Sequence, residues 1–183
     1  MQGKYTPYGI VDEDTAQLYV TCGSSFKTSD FIVDTLTAWW QGRSAIEQGA
    51  SDRVQITMDK GAESSGVRTP FLRRMVQRVD TIGKPVHLLS YPPYHSQYNP
   101  IERCWGMMEL HGNGAQLIDV ETMREWATRK TWKGVQPVVK LSRKVYAQGV
   151  SLSQAMMRAV EARLERNPLL PKWDIMIHPT GAN

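Results

Sequence analysis

The 183-residue chain has only two cysteines, Cys22 and Cys104, and only four histidines and three phenylalanines. Two cysteines supply no disulfide framework for a chain of this size, and their spacing fits no zinc pattern. Both thiols are expected to pack as small apolar side chains in a reducing compartment. No apolar run is long enough to span a bilayer, and no signal-peptide core stands at the start, so a cytoplasmic location is expected. Neither an internal repeat nor a low-complexity tract is present. Net charge is also missing from the first part: up to Ile101, 10 Lys and Arg balance 10 Asp and Glu.

What remains is an ordinary folded chain, 41% hydrophobic and 22% charged, long enough to bury a core. Its excess of +4 lies wholly from Glu102 onward, where 12 basic residues face 8 acidic ones. Between Glu121 and Val150 the ratio is 7 to 2, from Arg124, Arg129, Lys130, Lys133, Lys140, Arg143 and Lys144. Trp126, Trp132 and Tyr146 are interleaved with them. A polyanion partner fits this distribution, and so does a solvated surface over core aromatics.

The local patterns give a mixed order of elements. Pro7 to Val11 and Gln17 to Cys22 read as a hairpin around Asp12-Glu13-Asp14. Thr28-Ser29-Asp30 opens a helix with Ile32, Val33, Leu36, Trp39 and Trp40 at helical spacing, so the twin tryptophans are expected in the core. Gly42 to Asp52 reads as loop, and Val54 to Met58 as a buried strand. A helix from Thr69-Pro70 ends at Gly83, and Val86 to Leu89 is the next strand. Beyond Gly112 helices are expected from Asp119, from Pro137 and from Ser151, the last with Gln154 at the capping-box position and an apolar face reaching Leu164. Trp173 to Ile177 is a last strand or an extended tail.

Two carboxylates stand out. Asp59 follows the strand Val54 to Met58. Glu102 follows Asn99-Pro100, an N-cap and a proline at the first helical position, so it falls in the first turn of a helix. The 43 positions between them leave room for a turn, a helix and a strand. Acids delivered from different elements can hold the divalent cations that phosphodiester cleavage uses to stabilise the attacking and leaving oxygens. Each acid also has a plain local reading, Glu102 as a helix-start residue and Asp59 as a turn former. His95 can donate to a phosphate or orient water, Arg103 can pair with a phosphate oxygen, and Glu63 is a further carboxylate near Asp59.

The stretch Tyr91-Pro92-Pro93-Tyr94-His95-Ser96-Gln97-Tyr98-Asn99-Pro100-Ile101-Glu102-Arg103-Cys104-Trp105-Gly106 resembles the third-acid motif of DDE transposases of bacterial insertion sequences. Val54 to Ser64 resembles their second-acid motif. Phe31 to Trp40 and Thr131-Trp132-Lys133-Gly134 are similar to stretches of the Azo-type members, within the mariner-like and retroviral-integrase-like superfamily. The likeness runs from about Tyr5 to about Ile177.

The resemblance implies that Asp59 and Glu102 are catalytic and metal-binding acids of a Mg²⁺- or Mn²⁺-dependent endonuclease and strand-transferase. It also implies DNA ends and target as partners, a homo-oligomer when full length, and a place on the nucleoid. Lys60 stands where such enzymes often carry asparagine. DNA contacts are expected from Lys60, His95, Arg103, Lys130, Lys133, Lys140, Arg143 and Lys144. The implied fold is α/β, an RNase-H-like mixed sheet flanked by helices. Residues 1–114 form a partial catalytic core and residues 115–183 a helical C-terminal extension packed on it. The family's first aspartate belongs on an opening strand before Tyr5, which is missing here, and Asp12, Glu13 and Asp14 lie in a hairpin turn. An N-terminally truncated transposase is therefore expected, the alternative being a catalytically inactive DNA-binding remnant. A two-carboxylate hydrolase of another kind has only the acid pair behind it.

Overall fold

The computed structural model describes residues 5–24, 28–58, 69–91, 100, 101, 103, 104, 119–146 and 151–181. Two compact units divide the chain: Met1–Thr28 with Gln97–Gln148, and Ser29–Ser96 with Gly149–Asn183.

In the first unit, β1 (Thr6–Asp12) and β2 (Gln17–Gly23) form the expected antiparallel hairpin. β2 alternates, with Leu18, Val20 and Cys22 buried, the period of a strand with one face on a core. Helix α4 (Val120–Arg129) begins at Asp119, whose carboxylate accepts from the Thr122 N–H. Its Met123, Trp126 and Ala127 join Leu18, Val20, Cys22 and Cys104 in one apolar cluster. β5 (Val138–Ser142) runs parallel to β2 and completes the sheet order β1-β2-β5.

The second unit holds a four-stranded sheet in the order β3-β4-β7-β6. β3 (Val54–Met58) and β4 (Val86–Ser90) are parallel. β7 (Asp174–Ile177) is antiparallel to β4 and to β6 (Leu164–Arg166). Helices α1 (Ser29–Gln41) and α3 (Thr69–Ile82) pack on each other, and α3 also meets α5 (Gln154–Glu161). Their apolar stripes, Phe31, Ile32, Val33 and Leu36 with Phe71, Leu72, Met75 and Val79, are buried. Arg74 and Arg78 of α3 pair with Asp34 of α1, at 2.9 and 3.3 Å. Gly83 has φ +72 and closes α3 by donating its N–H to the Val79 carbonyl, the left-handed stop that glycine adopts without penalty.

The result is a mixed α/β fold, compatible with an RNase-H-like domain. Among the described residues the strands form two sheets, where the sequence reading anticipates one, because the hairpin pairs with β5 and β3 pairs with β4. The helix expected from Pro137 is β5. Val139 and Leu141 point to the core while Val138 and Lys140 are exposed, and this period-2 face is satisfied by the ladder that β2 offers. The expected helix through Leu164 ends at Glu161, and Leu164 pairs with Ile177 in the sheet. Its N-cap is Ser153 rather than Ser151: the Ser153 hydroxyl accepts from the Met156 N–H, which puts Gln154 at the first helical position. Gly42 to Asp52, expected as loop, contains the short helix α2 (Ala45–Gly49), set by a capping box between Ser44 and Glu47. Trp40 is buried as expected, whereas Trp39 is half-buried under the Arg43 guanidinium, 5.2 Å from its ring. Among the described residues no helix is long and apolar enough to cross a membrane.

Candidate functional site

β3 and β4 stay paired to their C-terminal ends. Met58 is opposite Ser90, and the Tyr91 N–H donates to the Met58 carbonyl at 3.0 Å. Met58 is buried, so the strand is anchored up to the residue that precedes Asp59 in sequence. Asp59, Lys60 and Glu63 themselves lie outside the described residues. In the other unit Pro100, Ile101, Arg103 and Cys104 are helical. Ile101 and Cys104, three positions apart, pack into the core cluster, and Arg103 is exposed, as expected of one helical turn with a buried side. Glu102 and His95 lie outside the described residues, so the expected acid pair does too. Among the described residues no three His, Cys, Asp or Glu side chains gather where they could hold a metal.

Of the acids around the β1–β2 turn, Asp12 has a local role. Asp12 is buried, and its Oδ1 accepts from the Asp14 and Thr15 N–H groups at 3.1 and 3.3 Å. Cys22 and Cys104 are unpaired and buried in one cluster. Burial pushes the Cys22 thiol up and the Cys104 thiol up to about 11.

The basic segment carries exposed cations, which fit both readings given to it, together with aromatics that are buried or half-buried. Trp126 and Tyr146 are core residues, and half-buried Trp132 packs against the cluster. Arg124, Arg129, Lys133, Lys140, Arg143 and Lys144 are exposed, and Lys130 is half-buried. Arg124 meets Glu121 at 3.2 Å, while Lys144 and Lys133 stand 5.0 and 5.9 Å from the rings of Tyr146 and Trp132.

One polar constellation was not visible in the sequence. His87 Nε2 lies 2.7 Å from Asp174 Oδ1, and the Asn167 amide donates to Asp174 Oδ2 at 2.9 Å. Asn167 first, then His87, holds the Asp174 carboxyl below the usual range. His87 Nδ1 is buried with no partner among the described residues. Residues 87 positions apart carry no spacing signal; only the β4–β7 register joins them.

No curated protein and no solved structure matches the chain. Residues 1–179 match the family model described as the Rhodopirellula transposase DDE domain. The match spans both units, and the chain therefore belongs to this family of DDE-type insertion-sequence transposases.

Proposed function

We propose that this chain supplies Asp59 and Glu102 as catalytic acids and metal ligands for DNA strand cleavage and strand transfer in transposition. The observation that carries the reading is family membership over residues 1–179. Local structure supports it. β3, the edge strand of its sheet, stays paired with β4 up to the buried Met58, and ligand sites in open α/β sheets gather beyond the carboxyl ends of parallel strands. Ile101 and Cys104 anchor the turn that brackets Glu102 in sequence.

DDE transposase domains generally use divalent metals, and the donor chemistry of this chain fits. Carboxylate oxygens suit Mg²⁺ or Mn²⁺, and the two thiols that would favour a softer ion are buried among apolar side chains. When bound, the cations supply charge stabilisation at the reacting phosphate. The chain's own part is to hold the DNA: Lys60, His95 and Arg103 near the acids, and Lys130, Lys133, Lys140, Arg143 and Lys144 along the duplex. Asp12 is not assigned as a further acid, because its Oδ1 is held by its own turn. Action as a homo-oligomer on paired DNA ends belongs to the same proposal.

The exposed cations of residues 124–144 favour a second reading, a DNA-binding protein that does not cut. Iron(II) in place of Mg²⁺, with hydrogen peroxide as oxidant and ascorbate as reductant, separates the two, because hydroxyl radicals formed as the bound ion reduces peroxide cleave the nearby main chain. Cuts near residues 59 and 102, competed by Mg²⁺ and lost in Asp59→Ala and Glu102→Ala, are expected. Cuts that neither substitution affects would sink the acid assignment. DNA binding without localised cutting would leave the second reading.

A further inference from the structure

Between α4 and β5 the chain makes a two-residue turn. Trp132 and Val135 exchange both backbone hydrogen bonds at 2.9 Å, with Lys133 and Gly134 between them. The central residues have φ +47 and +80, the positive pair of a type I′ turn. The second position has its usual residue, since glycine takes that conformation freely. The first does not. Asn, Asp or Gly is preferred there, and a long side chain with a Cβ is disfavoured. Lysine breaks the local rule at an exposed position, and the turn stands in open space at its next residue, where a Cβ on Gly134 would meet nothing within 4 Å. Local rules are broken most often at functional positions.

The turn is held firmly from below. Trp132 packs against the core of the first unit. The Gln136 carbonyl accepts from the Gln17 side chain at 2.6 Å, which ties the turn's exit to β2. The Lys130 N–H closes α4 on the Trp126 carbonyl. The cation at the tip is therefore carried on ordered backbone, and little ordering remains for a ligand to impose. Among the described residues Arg129, Lys130 and Lys133 make no ion pair with a carboxylate; the described pairs of this unit's basic segment stop at Arg124 with Glu121. Lys133 Nζ is 5.9 Å from the Trp132 ring, a contact that leaves its donors available.

We infer that the Trp132–Val135 turn is a phosphate-contacting tip, on which Lys133 engages the sugar–phosphate backbone of duplex DNA. Arg129 and Lys130 at the base of the turn add charge to the same contact. This rests on the DNA-binding reading and makes it specific. The contact positions the duplex and reads no base, because a lysine on a phosphate carries no sequence information.

Lys133→Asn tests it, because asparagine suits the turn better than lysine. The variant keeps or raises the thermal midpoint of the full chain. Its affinity for a short labelled duplex falls about five- to tenfold near physiological salt, and the slope of log affinity against log salt shrinks by about 1. Lys133→Arg keeps the slope. A wild-type chain that binds DNA with a salt slope that Lys133→Asn leaves unchanged overturns this inference and leaves DNA binding standing. A wild-type chain that fails to bind the duplex even at low salt overturns both.

Discussion

On adjacent antiparallel strands, His87 Nε2 and Asp174 Oδ1 are 2.7 Å apart. The register pairs Leu89 with Asp174 and His87 with Met176, so the two side chains are diagonal neighbours on one sheet face. The Asp174 carboxyl is held low by Asn167 and then His87, so the fold favours its charged form. That stabilisation is complete above the unfolded value of about 3.9 and is lost as pH falls through the lower folded value. Asp174→Ala should cost about 1–3 kcal/mol at neutral pH. In urea titrations the gap to wild type should close in acid. Identical midpoints at neutral pH would mean that the cluster adds nothing to stability.

Asp80 accepts from Arg163 at 2.9 Å and from the Thr180 N–H at 2.8 Å. Arg163 first, and then Thr180, lowers its carboxyl to about 2. Stability from this group is present above about pH 4 and fades as pH falls toward the folded value. The side chain is 42% exposed, so solvent screening keeps the effect below about 1 kcal/mol. Followed by carboxyl-carbon NMR, Arg163→Gln should move the Asp80 midpoint back toward the ordinary range. An unmoved midpoint would rule out Arg163 as the main cause.

Cys22 and Cys104 are 1% and 0% exposed. A thiol reagent should therefore find neither in the native protein and both after denaturation. Rapid native labelling would show that the core around them opens, because reaction requires access as well as thiolate.

Gly83 ends α3 with φ +72, and an added Cβ there would meet nothing within 4 Å. Gly83→Ala should thus cost about 1 kcal/mol through backbone conformation alone. Gly83→Asn should cost less, because asparagine tolerates that region. Equal losses in denaturant titrations would argue against a conformational origin.

Elements with strong local signals were legible from the residues alone. The apolar stripe of α3 and its glycine stop, the Asp119 cap of α4, the hairpin around Asp12 and the strands β3 and β4 all appear where their patterns place them. β5 was not legible. Val138, Val139, Leu141 and Val145 fit a helix about as well as a strand, and the choice was made by the ladder of β2, more than a hundred positions away. Ser151 and Ser153 offer the same cap chemistry, and Ser153 won because Gln154 begins the helix.

The sequence by itself determined the family, because the contexts of Asp59 and Glu102 are local strings that remain recognisable without any fold. It also determined most helices, whose 3.6-residue period is written in consecutive positions. Only the tertiary structure decided the pairing β2–β5 and the meeting of His87 with Asp174. It also decided that Trp126 and Tyr146 are buried while Arg124, Arg129, Lys133 and Lys144 of the same segment reach solvent. Such contacts join residues distant in the chain. Their energy comes from shared burial and ladder hydrogen bonds, which no single segment encodes.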